Sequence, residues 1–381
     1  MKITTTDDML KLLEELVNID SGSYNKKGID QVGKRLIDAY QQIGFKADIY
    51  EQEEYGNHVV LQHNEAENPE ILLVAHMDTV FPIGTVAERP FYIKGDRAYG
   101  PGVVDMKGSH VTALSAIKAL LDAKSAVAKN VVVLLTSDEE IGAPSARPLI
   151  EAQGAGKRAV LVMEPARKDG SLVTSRRGGG RYTLKITGKA AHSGIEPENG
   201  RSAIEELAYK IIQLHQLSDH EQGISVNVGI IEGGTAVNTV ADYAEAKVDI
   251  RVTRRDQAEP LAEKIKDICG QANVEGTSIA LEGGITRPPM ERNDQTIELF
   301  EMIKDVASSL NLSLTETATG GGSDASFTSA LGIPTIDGMG PVGGNPHSTD
   351  EYLEIDTLVE RTRLLAKTIE KLSSYMENSC I

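Results

Sequence analysis

A chain of 381 residues with 40% hydrophobic content is too long for one ordinary core and carries enough apolar side chains to fill two. Its formal net charge of −17 repels a phosphate backbone, and no lysine/arginine stripe interleaved with aromatics offsets it, which excludes nucleic acid as an expected partner. The longest apolar runs are five or six residues, whereas a bilayer-spanning helix needs about 20, so no membrane partner is expected either.

The chain opens MKITTTDDMLKLLEELV, acidic and amphipathic rather than basic and then apolar, and nothing in it marks the protein for export. Residues 6–19 have helical period with a Thr/Asp start, and 28–43 repeat the pattern before Gly44. Strands follow: HVVLQH (58–63), ILLVAHMD (71–78), VVVLLTS (131–137) and AVLVME (159–164) are continuous apolar runs, with a helix over 106–123 between the second and third. Apolar strands alternating with helices imply an α/β domain whose largely parallel sheet is covered on both faces.

The pattern changes near RRGGGRY (176–182). Strand 181–187, helix 200–216, strands 224–231 and 240–252, helix 258–270 and strand 277–282 spell a βαββαβ order, a complete small α+β domain. After TRPPM (286–290) the first style resumes with helix 294–310, a strand-like 333–338 and a final helix 355–375. The expected organisation is a domain of residues 1–177 and 289–381 interrupted by an insert of 178–288, with Gly178–Gly180 and Pro288–Pro289 as hinges. Only two cysteines occur, Cys269 and Cys380, too few for a disulfide framework and not in zinc-ribbon spacing, as expected of a protein in a reducing cytoplasm.

Polar side chains collect where the apolar strands end, the edge at which open α/β sheets gather ligands. ILLVA ends in His76-Met77-Asp78, whose spacing points imidazole and carboxylate to the same side. VVVLL runs into Asp138-Glu139-Glu140, AVLVM ends in Glu164-Pro165, strand 333–338 leads into GMGPVGGNPHS with His347, and Asp105 sits just before helix 106–123. Unpaired carboxylates are costly to bury, so an acidic triplet at the end of a core strand demands a reason. Two imidazoles (His76, His347) and three carboxylates (Asp105, Glu140, Glu164) are one ligand too many for a single zinc. They suit two ions sharing a bridging carboxylate, each with an open position. If 139–140 is extended, its two side chains point apart, so that one binds metal and the other handles a proton. Singly, each residue is more often a solvated carboxylate or a structural histidine; their convergence on one sheet edge carries the argument.

HMDTV, YGPGVVDMKG, SDEEIG, VMEP and GNPHS, in this order with the insert between the last two, resemble the di-zinc peptidase/deacylase family of glutamate carboxypeptidases, succinyl-diaminopimelate desuccinylases, acetylornithine deacetylases and tripeptide aminopeptidases. The wording HMDTVFPIGT and AYGPGVVDMKG is most similar to the carboxypeptidase-G type. The resemblance implies a zinc-peptidase catalytic domain with an inserted ferredoxin-like lid that dimerises. It assigns one zinc to His76, Asp105 and Glu164 and the other to Asp105, Glu140 and His347, with Asp105 bridging; Co²⁺ or Mn²⁺ also suits such a donor set. Asp78 would orient His76, Glu139 would take a proton from water and return it to the leaving nitrogen, and a cis peptide would follow Asp105.

From the insert, His192 in GKAAHSG matches the histidine that stabilises the oxyanion, within or across a dimer, and Asn238 and Arg287 match residues that hold substrate. Arg287 suits a bidentate pair with an α-carboxylate. GGGSDAS (320–326), including Gly322, resembles a segment whose N–H groups meet a substrate carboxylate. Glutamate-specific relatives carry a lysine shortly after the last acidic ligand; here 170–174 read GSLVT, leaving Arg167, Lys168, Arg176 and Arg177 as substitutes. His58, His63, His110, His215 and His220 fall in no motif and are read as structural or solvated. The implied activity is hydrolysis of a small peptide or N-acyl amino acid with release of a C-terminal residue. N-acyl amino acid deacylase and tripeptide aminopeptidase are the alternatives, and a non-catalytic dimeric metal- or peptide-binding protein is the reading from another class.

Overall fold

The structure, a computed structural model, describes residues 2–378. Cys269 is a buried free thiol, and Cys380 lies outside the described residues. No described helix is long and apolar enough to cross a membrane. Two compact units emerge: one runs through Ser175 and includes Arg292–Thr319 and the chain from Ser323, while the other comprises Arg176–Glu291 and Gly320–Gly322.

In the first unit, a six-stranded sheet has the order Phe45–Tyr50, His58–His63, Val131–Thr136, Ile71–His76, Ala159–Val162 and Thr335–Ile336. The last four are parallel. Val131–Thr136 and Ile71–His76 are buried at every position, which is why they read as unbroken β-branched and aliphatic runs. His58–His63 departs from the parallel pattern and runs antiparallel to both neighbours. The linkers flanking it are shorter than the dozen or so residues a parallel crossover requires. Its partner Phe45–Tyr50, half exposed at the sheet edge, has too weak a pattern to be read from the sequence.

Helices close both faces. Thr6–Val17 starts where the Thr5 side chain accepts from Asp8 N at 3.2 Å, and Asp294–Ser309 starts where Asn293 accepts from Thr296 N at 2.9 Å. Gly108–Asp122 is buried on most of its surface and packs against Thr6–Val17 and Ile355–Asn378. It begins two residues later than expected, after a wide turn, Val103–Lys107, that contains the cis peptide Asp105–Met106. A second small sheet, in the order Gly343–Gly344, Tyr352–Glu354, Arg97–Tyr99 and Tyr92–Lys94, carries His347 in the connection between its first two strands.

The second unit is an antiparallel sheet ordered Ser225–Gly233, Tyr243–Val252, Gly178–Thr187 and Ser278–Arg287. With helices Ala203–His215 and Ala258–Gly270 it is the ferredoxin-like βαββαβ arrangement. Tyr243–Val252 alternates buried and more exposed positions, as a sheet covered on one face requires. Its core gathers Leu184, Ile186, Leu207, Leu214, Ile250 and Ile265. Beside it lies a buried ion pair, Glu206 Oε1 to Lys210 Nζ at 3.1 Å. Glu206 Oε2 accepts from the N–H groups of Asn273 (2.8 Å) and Val274 (2.6 Å), and Lys210 donates to Asn273 Oδ1 at 2.7 Å.

Candidate metal centre

Four parallel strands place their carboxyl ends on one edge of the sheet, and the polar residues that follow them meet there. Two groups form: His76, Asp105 and Glu164, and Asp105, Glu140 and His347. Asp105 belongs to both. Its Oδ1 lies 3.2 Å from His76 Nε2 and its Oδ2 lies 3.2 Å from His347 Nε2. Glu164 Oε1 is 3.6 Å from His76 Nε2, and Glu140 Oε2 is 3.2 Å from His347 Nε2. A tetrahedral ion with bonds of about 2.0–2.1 Å sets its ligand atoms roughly 3.3–3.4 Å apart, so both groups have the spacing of a ligand shell.

The electrostatics point the same way. Burial pushes Glu140 up to about 7, and the charges of Asp105 and Glu139 add to the shift. Burial and then Asp105 raise Glu164 well above the carboxylate range. Hydrogen bonds that His347 donates to the carboxylates of Asp105 and Glu140 lift it to about 10. Burial opposes protonation of His76, but its bonds to Asp105 and Asp78 and the charge of Glu164 prevail and raise it. Protons on the imidazoles thus serve as the site's counter-charge, the place a divalent cation takes when neutral nitrogens bind it. Glu140 Oε1 is buried without a hydrogen-bond partner among the described residues, an acceptor that a cation would satisfy. The residues fit a pair of metal ions.

Asp78, fully buried, organises the surroundings. The Nδ1 of His76 lies 2.9 Å from the Asp78 carbonyl oxygen and 3.4 Å from its carboxylate. That carboxylate accepts from Ser23 Oγ at 2.6 Å and from the N–H groups of Glu139 and Glu140 at 3.2 Å each. These last bonds curl Glu139–Ile141 into a tight turn closed by Gly142 at φ 99°. The segment is therefore not extended as the sequence suggested; two backbone donors converging on one carboxylate bend it. Successive residues of such a turn are offset around its axis, which still allows Glu139 and Glu140 different roles. Asp138 faces away: its carboxylate accepts from Ser145 N and Oγ at 2.6 Å each.

Sequence reasoning overlooked Glu351, buried at 1% exposure. Its carboxylate accepts from the N–H groups of Gly102, Val104 and Asp105 at 3.0, 2.9 and 3.1 Å. HSTDEY held no signal for this, since a carboxylate four residues past a histidine reads as a solvated loop charge. His110 is structural as expected, its Nε2–H donating to the His76 carbonyl at 2.7 Å while burial pushes its pKa down to about 3.

The remaining expected site residues belong to the second unit, where they form two neighbourhoods. His192 pairs with Thr239 across a backbone bridge, and Ser193 N donates to Asn238 O at 3.0 Å, so exposed His192 and Asn238 sit side by side. Arg287 closes the last strand against Gly322, where a Cβ would come within 2.6 Å of the arginine Cδ. Arg176 is largely buried and donates to Gly321 O at 3.1 Å, which uses part of its guanidinium to hold the glycine segment.

In the first unit a cavity of about 450 Å³ is walled by Val104, Pro165–Asp169, Ser171, Thr317, Gly343, Gly344 and Pro346. Three of these adjoin metal-site residues in the chain: Val104 precedes Asp105, Pro165 follows Glu164 and Pro346 precedes His347. Lys168 lies across Gly344, where a Cβ would meet its Cε at 2.8 Å, and donates to Asn345 Oδ1 at 3.1 Å.

Comparison with known proteins agrees with this geometry. Carboxypeptidase G2 of Pseudomonas sp. (strain RS-16) is 28% identical over 371 residues, spanning 96% of this chain and 89% of its own. An acetylornithine deacetylase of Vibrio campbellii is 29% identical over 262 residues, 64% of this chain and 67% of its own. A tripeptidase structure from Staphylococcus aureus superposes with a TM-score of 0.80 at 23% identity, covering 97% of this chain and 98% of that one. The model of peptidase family M20/M25/M40 matches residues 72–371, and the chain, with two candidate metal positions sharing one aspartate, belongs to that family of metallopeptidases.

Proposed function

We propose that the protein is a di-zinc hydrolase that cleaves a small peptide or N-acyl amide next to a free carboxylate and releases a C-terminal amino acid, as a glutamate carboxypeptidase does. The observation that carries this reading is the division of the Asp105 oxygens between His76 and His347, each 3.2 Å away. In it, His76, Asp105 and Glu164 hold one ion, and Asp105, Glu140 and His347 hold the other. Divalent cations held by these residues would acidify a water and polarise the substrate carbonyl.

The chain's own residues do the rest. Glu139, half-buried beside the ligands, takes the proton of the attacking water and delivers it to the leaving nitrogen. Asp78 keeps the His76 ring turned and the Glu139–Glu140 turn in place. His192 donates to the oxyanion, Arg287 pairs with the α-carboxylate, and Asn238 and the Gly322 segment complete the grip on substrate. In the cavity beside the ligands, Lys168 and Arg167 supply the cations that a second carboxylate of the substrate needs, in place of the lysine missing from 170–174. Asp169, in the same wall, turns its carboxylate onto Ser171 N and Oγ at 3.0 and 2.6 Å.

A homodimer in the cytoplasm completes the reading; the half-exposed Ile230 and Ile231 on the outermost strand of the second unit suit a self-association edge. The relatives keep N-acyl amino acid deacylase and tripeptide aminopeptidase as alternatives. A release assay with zinc-loaded protein over N-acyl amino acids, dipeptides and tripeptides, each with one end blocked, separates them. Amidation of the C-terminal carboxylate is expected to abolish turnover. An undiminished rate would remove the carboxypeptidase reading and the role of Arg287 together, and no turnover of any substrate would favour a binding protein.

A further inference from the structure

We propose that Glu351 is a positioning residue for the metal pair, setting the second of the two positions by fastening the segment of Asp105 to the segment of His347. The inference rests on the two-metal reading above.

Consider how each ligand is held. His76 is the last residue of the strand Ile71–His76, and Glu164 lies two residues beyond Ala159–Val162, so both inherit their places from the central sheet. Glu140 follows the strand Val131–Thr136 and is fixed through its N–H on Asp78. Asp105 and His347 have no such anchor. Asp105 lies in the turn Val103–Lys107, outside any strand, and His347 is 52% exposed at its side chain, in the connection between two very short strands.

Glu351 joins these two segments. It lies four residues beyond His347 and one before the strand Tyr352–Glu354. It reaches into the Asp105 turn, where its two oxygens accept three consecutive-segment N–H donors, those of Gly102, Val104 and Asp105. A carboxylate buried to 1% exposure and taking three backbone hydrogen bonds is a rigid clamp rather than a solvated charge. Of the three ligands of the Asp105–Glu140–His347 position, two therefore depend on Glu351; of the three at His76–Asp105–Glu164, one does. Loss of the clamp should weaken the former position far more than the latter.

The test is metal titration of metal-free wild type, Glu351→Gln and Glu351→Ala, followed by calorimetry and by the visible absorption of Co²⁺, with Glu354→Gln as a control and far-UV circular dichroism to verify folding. Glutamine keeps the shape and one acceptor oxygen, so E351Q remains informative if E351A fails to fold. Wild type and E354Q should bind two ions per chain. Folded E351Q should bind the first ion within about threefold of wild type and the second about ten- to a hundredfold more weakly, with hydrolysis restored by excess metal. Unchanged affinity at both positions in folded E351Q would overturn the proposal, and so would equal weakening of both. Wild type that takes up no second ion would instead remove the two-metal reading and this inference with it.

Discussion

Two buried charge clusters in this molecule invite comparison, one at the edge of the large sheet and one under the helices of the smaller unit. Around Glu206, every formal charge is answered from within the protein: Lys210 faces one carboxylate oxygen at 3.1 Å, and backbone N–H groups of Asn273 and Val274 occupy the other. Around Asp105, the carboxylates outnumber the cations. Asp105, Glu140 and Glu164 share two imidazoles, and protons must be retained to balance the charge. The first cluster is complete and serves the fold, whereas the second is complete only with cations. Burial alone does not identify a functional site; a local excess of one charge, with its donor atoms spaced as a ligand shell, does.

Asp105→Asn should break the contrast most severely. Losing the shared carboxylate is expected to leave fewer than two ions per chain by elemental analysis and to reduce hydrolysis below detection. Chelation of the wild type should do the same reversibly. Glu139→Gln comes next: turnover should fall by about a thousandfold or more with metal content unchanged, which separates the proton-handling residue from the ligands. Equal rates in the variant and wild type would take Glu139 out of the chemistry.

Glu206→Gln should act on the other cluster, destabilising the smaller unit by about 3 kcal/mol because it leaves Lys210 buried without its counter-charge, while both ions stay bound. A thermal melt paired with metal analysis checks it; loss of metal would erase the distinction between the clusters. The pH dependence has a definite sign. Burial opposes ionisation of Glu206, but bonds from Val274 and Lys210 outweigh it and hold the pKa below the usual 4.5. Its stabilisation is therefore present above that value and is lost as pH falls through the lowered one. E206Q should flatten this acid-side decline. The smallest effect is expected from Lys168→Met: KM for a substrate bearing a side-chain carboxylate should rise about tenfold, with little change for its amide counterpart. An equal change for both substrates would show that the cavity beside the ligands reads no charge.

Much of this was legible because one rule linked pattern to place. ILLVA, VVVLL and AVLVM are apolar without interruption and helices alternate with them, which implies interior strands, largely parallel, whose following residues share an edge. Features that depend on contacts between short or distant segments left no such trace. His58–His63 looked like its parallel neighbours, since burial on both faces produces the same composition in either direction. Arg176 read as a candidate for binding a substrate carboxylate, although it lies inside and holds Gly321.

By itself, the sequence determined which side chains could bind metal and that a βαββαβ segment interrupts the main domain, because hydrophobic periodicity and residue chemistry are local properties. Tertiary structure alone decided that Asp105 offers one oxygen to each histidine, that Asp78 bends the Glu139–Glu140 segment, and that Glu351 is buried against the Asp105 turn. Each of these depends on a distance between segments far apart in the chain, which only the packing of the sheet and its loops establishes.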